Sequence, residues 1–188
     1  MTETEHEKKL LLSEREYRLL CGLVPHSVSY EQTNFYYDTA NNDFNADRTT
    51  LRVRLKNGEF MGTKKVHIDG VGESTEESFR VSELPYGFSA DGKYVTLKGS
   101  LRTQRTELAI SRDMTLFLDK NEYLGVTDYE LELEYRGNEE ARAAARGAFA
   151  LLLGFLDRGF AEPPRSKSER FFARLMAQSA EKENVWKV

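Results

Sequence analysis

The sequence predicts an α+β protein, an antiparallel β domain with a few helices packed against its outside. Three observations carry that expectation. From Asn34 to about Glu134 apolar and polar residues alternate with period two, as strands with one buried face require. Asn57-Gly58 falls between two such runs, a strong signal for a tight hairpin. After Asn138 the apolar spacing changes to a helical one.

Taken in order, Ser13-Glu14-Arg15-Glu16 reads as a capping box that opens a short helix through Leu19, Leu20 and Leu23 and ends near Pro25. Strands are expected at Phe35-Tyr36-Tyr37, Thr50 to Leu55, Phe60 to Ile68, Ser78 to Val81, Arg105 to Ile110, Met114 to Leu118 and Tyr129 to Tyr135. Asn138 is a plausible cap for an Ala- and Leu-rich helix from Glu139 to Leu156. Pro163-Pro164 marks a turn, and Ser168 to about Ala180 forms a last amphipathic helix.

At 188 residues, with 39% hydrophobic and 31% charged residues, the chain is expected to form a single domain over residues 1–188 around a real core. No run approaches the eighteen apolar residues of a membrane helix. The acidic start Met1-Thr2-Glu3-Thr4-Glu5 lacks a secretory pattern, so a cytoplasmic location is expected. One cysteine, Cys21, excludes an internal disulfide framework and a cysteine-based zinc site. A net charge of -4 argues against nucleic acid and membrane surfaces as partners. Yet 27 basic and 31 acidic residues coexist, so their placement is the question.

Successive strand residues point to opposite faces. In Leu51-Arg52-Val53-Arg54-Leu55 one face is apolar and the other carries two arginines. In Glu130-Leu131-Glu132-Leu133-Glu134 three carboxylates share a face. Glu5, Glu7 and Lys9 share another, and so do Thr63 and Lys65. Each could be an ordinary solvated face. Three like charges on one strand face repel, however, and bases and acids here segregate by strand. A closed barrel explains this, because every strand sends alternate residues inward. Its basic residues would cradle a polyanion and its carboxylates would hold a hard divalent cation, the chemistry of a phosphate chain.

These residues resemble the CYTH, or triphosphate tunnel metalloenzyme, superfamily. The resemblance begins at Glu5-x-Glu7-x-Lys9 and continues in order through Tyr36-Tyr37-Asp38-Thr39, Leu51-Arg52-Val53-Arg54, Lys65, Arg105, Leu118-Asp119, Tyr129 to Glu134 and Arg165-Ser166-Lys167-Ser168-Glu169-Arg170. It implies an eight-stranded antiparallel β-barrel with helices outside and a tunnel inside. By the same resemblance Lys9, Arg52, Arg54, Lys65, Arg105 and Lys167 are expected to bind a small-molecule triphosphate. Glu5, Glu7, Glu130 and Glu132 are the expected catalytic metal ligands for Mg²⁺ or Mn²⁺, with Asp119 a further candidate. Glu134 continues that face nearer the tunnel mouth, and Glu76 competes with Glu77 for an inward position. The implied reaction is metal-dependent hydrolysis of tripolyphosphate or of a nucleoside or thiamine triphosphate. Adenylate cyclisation and non-catalytic binding are the alternatives, and monomer and homodimer both stay open.

One departure stands out. Several triphosphatases of this family carry a lysine proposed as general base two residues before the Arg105-type arginine, where this chain has Thr103. Threonine cannot serve that way. Metal-activated water, slow turnover, or binding without cleavage are then the possibilities. Among other candidates, His6, His26 and His67 lack a common ligand spacing, and Cys21 reads as a packed thiol. A loop containing His67, Asp69, Gly70 and Gly72 could cover a tunnel mouth. No glycine-rich phosphate loop is present.

Overall fold

A computed structural model describes residues 3–24, 27–68, 73–160 and 162–185. The strands are β1 (Glu3–Leu12), β2 (Val28–Asp38), β3 (Thr49–Lys56), β4 (Glu59–Ile68), β5 (Glu73–Val81), β6 (Gly87–Ala90), β7 (Lys93–Ser111), β8 (Met114–Tyr123) and β9 (Val126–Tyr135). The helices are α1 (Glu14–Leu23), α2 (Asp43–Ala46), α3 (Glu139–Phe155) and α4 (Lys167–Val185). Neighbouring strands run in the order β2-β3-β4-β5-β1-β9-β8-β7, and β7 pairs back onto β2. Every pairing is antiparallel, so eight strands close into a barrel, with β6 added at the start of β7.

Local chemistry accounts for the turns that set this register. Asn57 and Gly58 both have positive φ, at 53° and 80°, the conformation of a type I′ hairpin, and Lys56 pairs with Glu59 across it. Ser13 and Glu16 form the reciprocal capping box of α1. Asn138 accepts hydrogen bonds from the Glu140 and Ala141 amides at the start of α3. Buried Asp38 accepts from the amides of Thr39, Phe44 and Asn45, which folds the chain into α2.

Outward strand residues pack under the helices. Leu116, Leu118, Leu131 and Leu133 form one cluster with Leu20 of α1 and with Ala145, Phe149 and Leu153 of α3. Tyr37, Leu51, Val53 and Val95 form another with Phe44 of α2. Helix α4 instead closes one end of the barrel. Its Phe171 and Phe172 are 0% and 2% exposed and pack on the inward residues Tyr36, Leu101 and Tyr123. Each such ring contributes about 1.5–3 kcal/mol of burial free energy. Gly99 makes this closure possible, because a Cβ there would stand 2.9 Å from Phe171. Thr50 at the start of β3 meets Ser168 of α4 at 2.8 Å, oxygen to oxygen. The other end of β3, at Lys56, is therefore the rim away from the helix.

The period-two reading located most strands, missed β6, and undershot β2, β5, β7, β8 and β9. β2 begins six residues before Asn34, and β7 runs for 19 residues where only Arg105 to Ile110 was expected. The first half of β7 contains Gly99 and a register shift opposite Tyr36 and Tyr37, which breaks the alternation.

Candidate functional site

The inward faces of the strands, together with Lys167 at the start of α4, bring together every predicted site residue whose side chain is described; the Glu5 side chain and residues 26 and 69–72 lie outside the described residues. Glu5 itself pairs with Ser74 along the β1–β5 ladder. The register resolves the choice between Glu76 and Glu77. Glu76 faces inward, with one carboxylate oxygen 2.8 Å from Lys65 Nζ and the other 3.7 Å from Arg52, whereas Glu77 is exposed on the outside. Tyr36 faces inward under α4, and Tyr37 faces out.

One wall, made by β1, β8 and β9, is acidic. Asp119, Glu130 and Glu132 are buried and each places a carboxylate oxygen within 4.8 Å of the others. Lys167 Nζ sits among them, 2.9 Å from Asp119, 2.6 Å from Glu130 and 2.7 Å from Glu132. Arg105 forks onto Asp119 through two bonds of 2.8 and 2.6 Å and reaches Glu132 at 2.5 Å. Burial opposes the charge of Lys167, but Asp119, Glu132 and Glu130 outweigh it and raise its pKa. Burial likewise pushes Glu132 up, yet Lys167, Arg105 and Lys9 hold it well below the usual carboxylate range. Glu7, Glu132 and Glu134 form a second carboxylate group of the same dimension, with Lys9 2.5 Å from Glu7.

The opposite wall is basic. Arg52 shares Glu76 with Lys65, and its Nε is buried without a hydrogen-bond acceptor among the described residues. Arg54 donates to Asn34 at 2.9 Å, and no carboxylate of the described residues is bonded to it. Burial, and then the nearby charges of Arg52 and Arg105, lower its pKa to about 9. A guanidinium resists deprotonation, so this unfavourable charge shows itself as attraction for an anion.

Some participants escaped the sequence reading. Arg170 of α4 forks onto Asp128 and Glu130, with bonds of 2.9 and 3.0 Å as the shortest to each. Asp128 also accepts from Asn121 and from the Tyr123 hydroxyl, and Asn121 accepts from Thr103 at 2.8 Å. Thr103 is 0% exposed, so its hydroxyl is fixed in a satisfied network. Arg102 lies on the outer surface with Glu31. His6 faces outward and stacks on Tyr135, and the Cys21 thiol is pushed up by burial, which fits packing rather than reactivity.

The CYTH domain family model matches residues 3–162. The Bacillus subtilis protein YjbK, named provisionally as a triphosphatase, is 30% identical over 159 residues, covering 76% of this chain and 83% of that protein. Two solved structures share the fold. A Bacillus halodurans protein titled a provisional adenylate cyclase has a TM-score of 0.72 at 24% identity, covering 91% of this chain and 98% of its own. A Hippeastrum protein, HpAC1, described as an adenylyl cyclase candidate with dominant triphosphatase activity, has a TM-score of 0.69 at 21% identity, covering 92% and 96%. No helix is long and apolar enough to cross a membrane among the described residues.

Proposed function

The chain belongs to the CYTH domain family, and from that premise we propose that it is a divalent-metal-dependent triphosphatase acting on inorganic tripolyphosphate in preference to nucleoside or thiamine triphosphates. The observation that carries this is the half-buried pair Arg52 and Arg54, under-neutralised by carboxylates of the described residues and facing an acidic wall across the barrel. A cation wall alone would bind the phosphate chain; the acidic wall opposite supplies oxygen donors for a metal.

Those donors fit Mg²⁺ or Mn²⁺, which take hard carboxylate oxygens. Of the two carboxylate groups, Asp119-Glu130-Glu132 is already balanced by Lys167, Arg105 and Arg170. Glu7, Glu132 and Glu134 make up the other group, in which Glu7 pairs with Lys9 and Glu132 with Lys167, so a metal held there, with Glu5 as the adjoining candidate on β1, would take the place of those cations. Such an ion would supply a positive charge that draws electron density from the phosphate chain. Lys9, Arg52, Arg54, Lys65, Arg105 and Lys167 orient the chain and neutralise charge that builds on the leaving oxygens. Water attacks the terminal phosphorus, the anhydride P–O bond breaks, and orthophosphate and diphosphate leave.

Glu7→Gln and Glu132→Gln test the assignment. Each should lower the rate of tripolyphosphate hydrolysis by at least about 100-fold. Full activity in both would remove the metal assignment. With ATP as substrate, ADP and phosphate are the expected products, and cyclic AMP would move the chain to the cyclase class.

A further inference from the structure

On the inward face of β3, Arg52 and Arg54 are followed by Lys56, which closes the strand at the rim away from α4. The three cations span about 13 Å at about 3.3 Å per strand residue. Lys56 is half-buried, and its ammonium lies 3.8 Å from the centroid of the Tyr30 ring, whose hydroxyl donates to Glu107 at 2.9 Å. Among the described residues no carboxylate is bonded to Lys56 or to Arg54. The row thus runs from the middle of the barrel to its mouth with Glu76, beside Arg52, as its one ion-paired carboxylate among the described residues. Tyr30 is occupied on both counts, its ring by Lys56 and its hydroxyl by Glu107.

Resting on the triphosphatase reading, we propose that Lys56 is a specificity-determining residue that binds the outer phosphate of a linear inorganic polyphosphate and so favours such chains over nucleoside triphosphates. An inorganic chain is charged along its whole length and presents a terminal phosphate at the mouth. A nucleotide presents an esterified phosphate and its nucleoside there, next to an ammonium and a ring whose face is already covered. The ammonium swings from the Tyr30 face to the outer phosphate, exchanging a cation–π contact for a charge-assisted bond. Chains longer than three phosphates reach Lys56 most fully and gain most from it.

The test compares wild type, Lys56→Ala and Lys56→Arg by calorimetric binding of tripolyphosphate, a longer linear polyphosphate and ATP, at one salt concentration. Lys56→Ala should weaken binding of both inorganic chains about tenfold, the longer one at least as much, and ATP by less than about threefold. Lys56→Arg should keep the wild-type order. Equal weakening for all three ligands, or none, overturns the role of Lys56 and leaves the triphosphatase reading standing. Failure of wild type to bind any of the three overturns that reading and this inference with it.

Discussion

Lys167 and Glu132 are 35 residues apart in the chain and 2.7 Å apart in space, the ammonium at the first turn of α4 meeting a carboxylate of β9 inside the barrel. The contact ties the helix that closes the barrel to the acidic wall. The same ammonium touches Asp119 and Glu130, so one cation holds three buried carboxylates together.

Lys167→Ala should therefore cost about 3 kcal/mol of stability, because carboxylates lose their partner in a buried place. Millimolar Mg²⁺ should raise the Tm of this variant more than that of wild type, since the emptied position becomes a cation site. Thermal scans with and without Mg²⁺ check both statements.

Arg54 predicts the reverse trade. Its charge is half-buried near two other arginines and bonded only to Asn34 among the described residues. Arg54→Met should stabilise the free protein by about 1 kcal/mol in urea unfolding. The same change should weaken tripolyphosphate binding at least about tenfold by calorimetry. A variant that is less stable and binds as well as wild type would contradict the view of Arg54 as an anion-seeking charge.

Arg170 acts at one remove, by holding Glu130 and Asp128 in place. Arg170→Ala should destabilise by about 3 kcal/mol, read from the urea midpoint. Arg170→Lys should recover only part, because an ammonium cannot reproduce the fork.

Stability should also fall in acid. Glu132 and Glu76 both have pKa values held below the ordinary range in the folded state, against burial, by Lys167, Arg105 and Lys9 for the first and Arg52 and Lys65 for the second. A carboxylate with a depressed folded pKa contributes its stabilisation above the unfolded value, about 4.3. That contribution is lost as pH falls through the lower folded values. Thermal scans between about pH 6 and 2 should show the decline, and Glu132→Gln should flatten it while starting from a lower Tm.

Much of this site was legible because period two is strict. Arg52 and Arg54, or Glu130, Glu132 and Glu134, must share a face once their segments are strands; that this charged face lines the barrel follows from closure of the sheet and from the helices that cover Leu51, Val53, Leu131 and Leu133 outside. Alternation cannot show where a helix side chain lands, so the fork of Arg170 on Asp128 and Glu130 had no sequence signal beyond its place in the Arg165 to Arg170 motif. Thr103 was noted as a departure, but its bond to Asn121 depends on the β7–β8 register, which a local pattern does not contain. The preference for Glu76 over Glu77 likewise follows from its pairing opposite Lys65.

Phosphate release from tripolyphosphate by the purified protein, with Mg²⁺, Mn²⁺ or EDTA and with ATP and thiamine triphosphate run beside it, separates hydrolysis from binding alone. Release should require a divalent ion, stop in EDTA and be faster with tripolyphosphate than with either organic triphosphate. Absence of release with either ion, alongside thermal stabilisation by tripolyphosphate, would contradict the triphosphatase reading and make the barrel a binding site without hydrolysis.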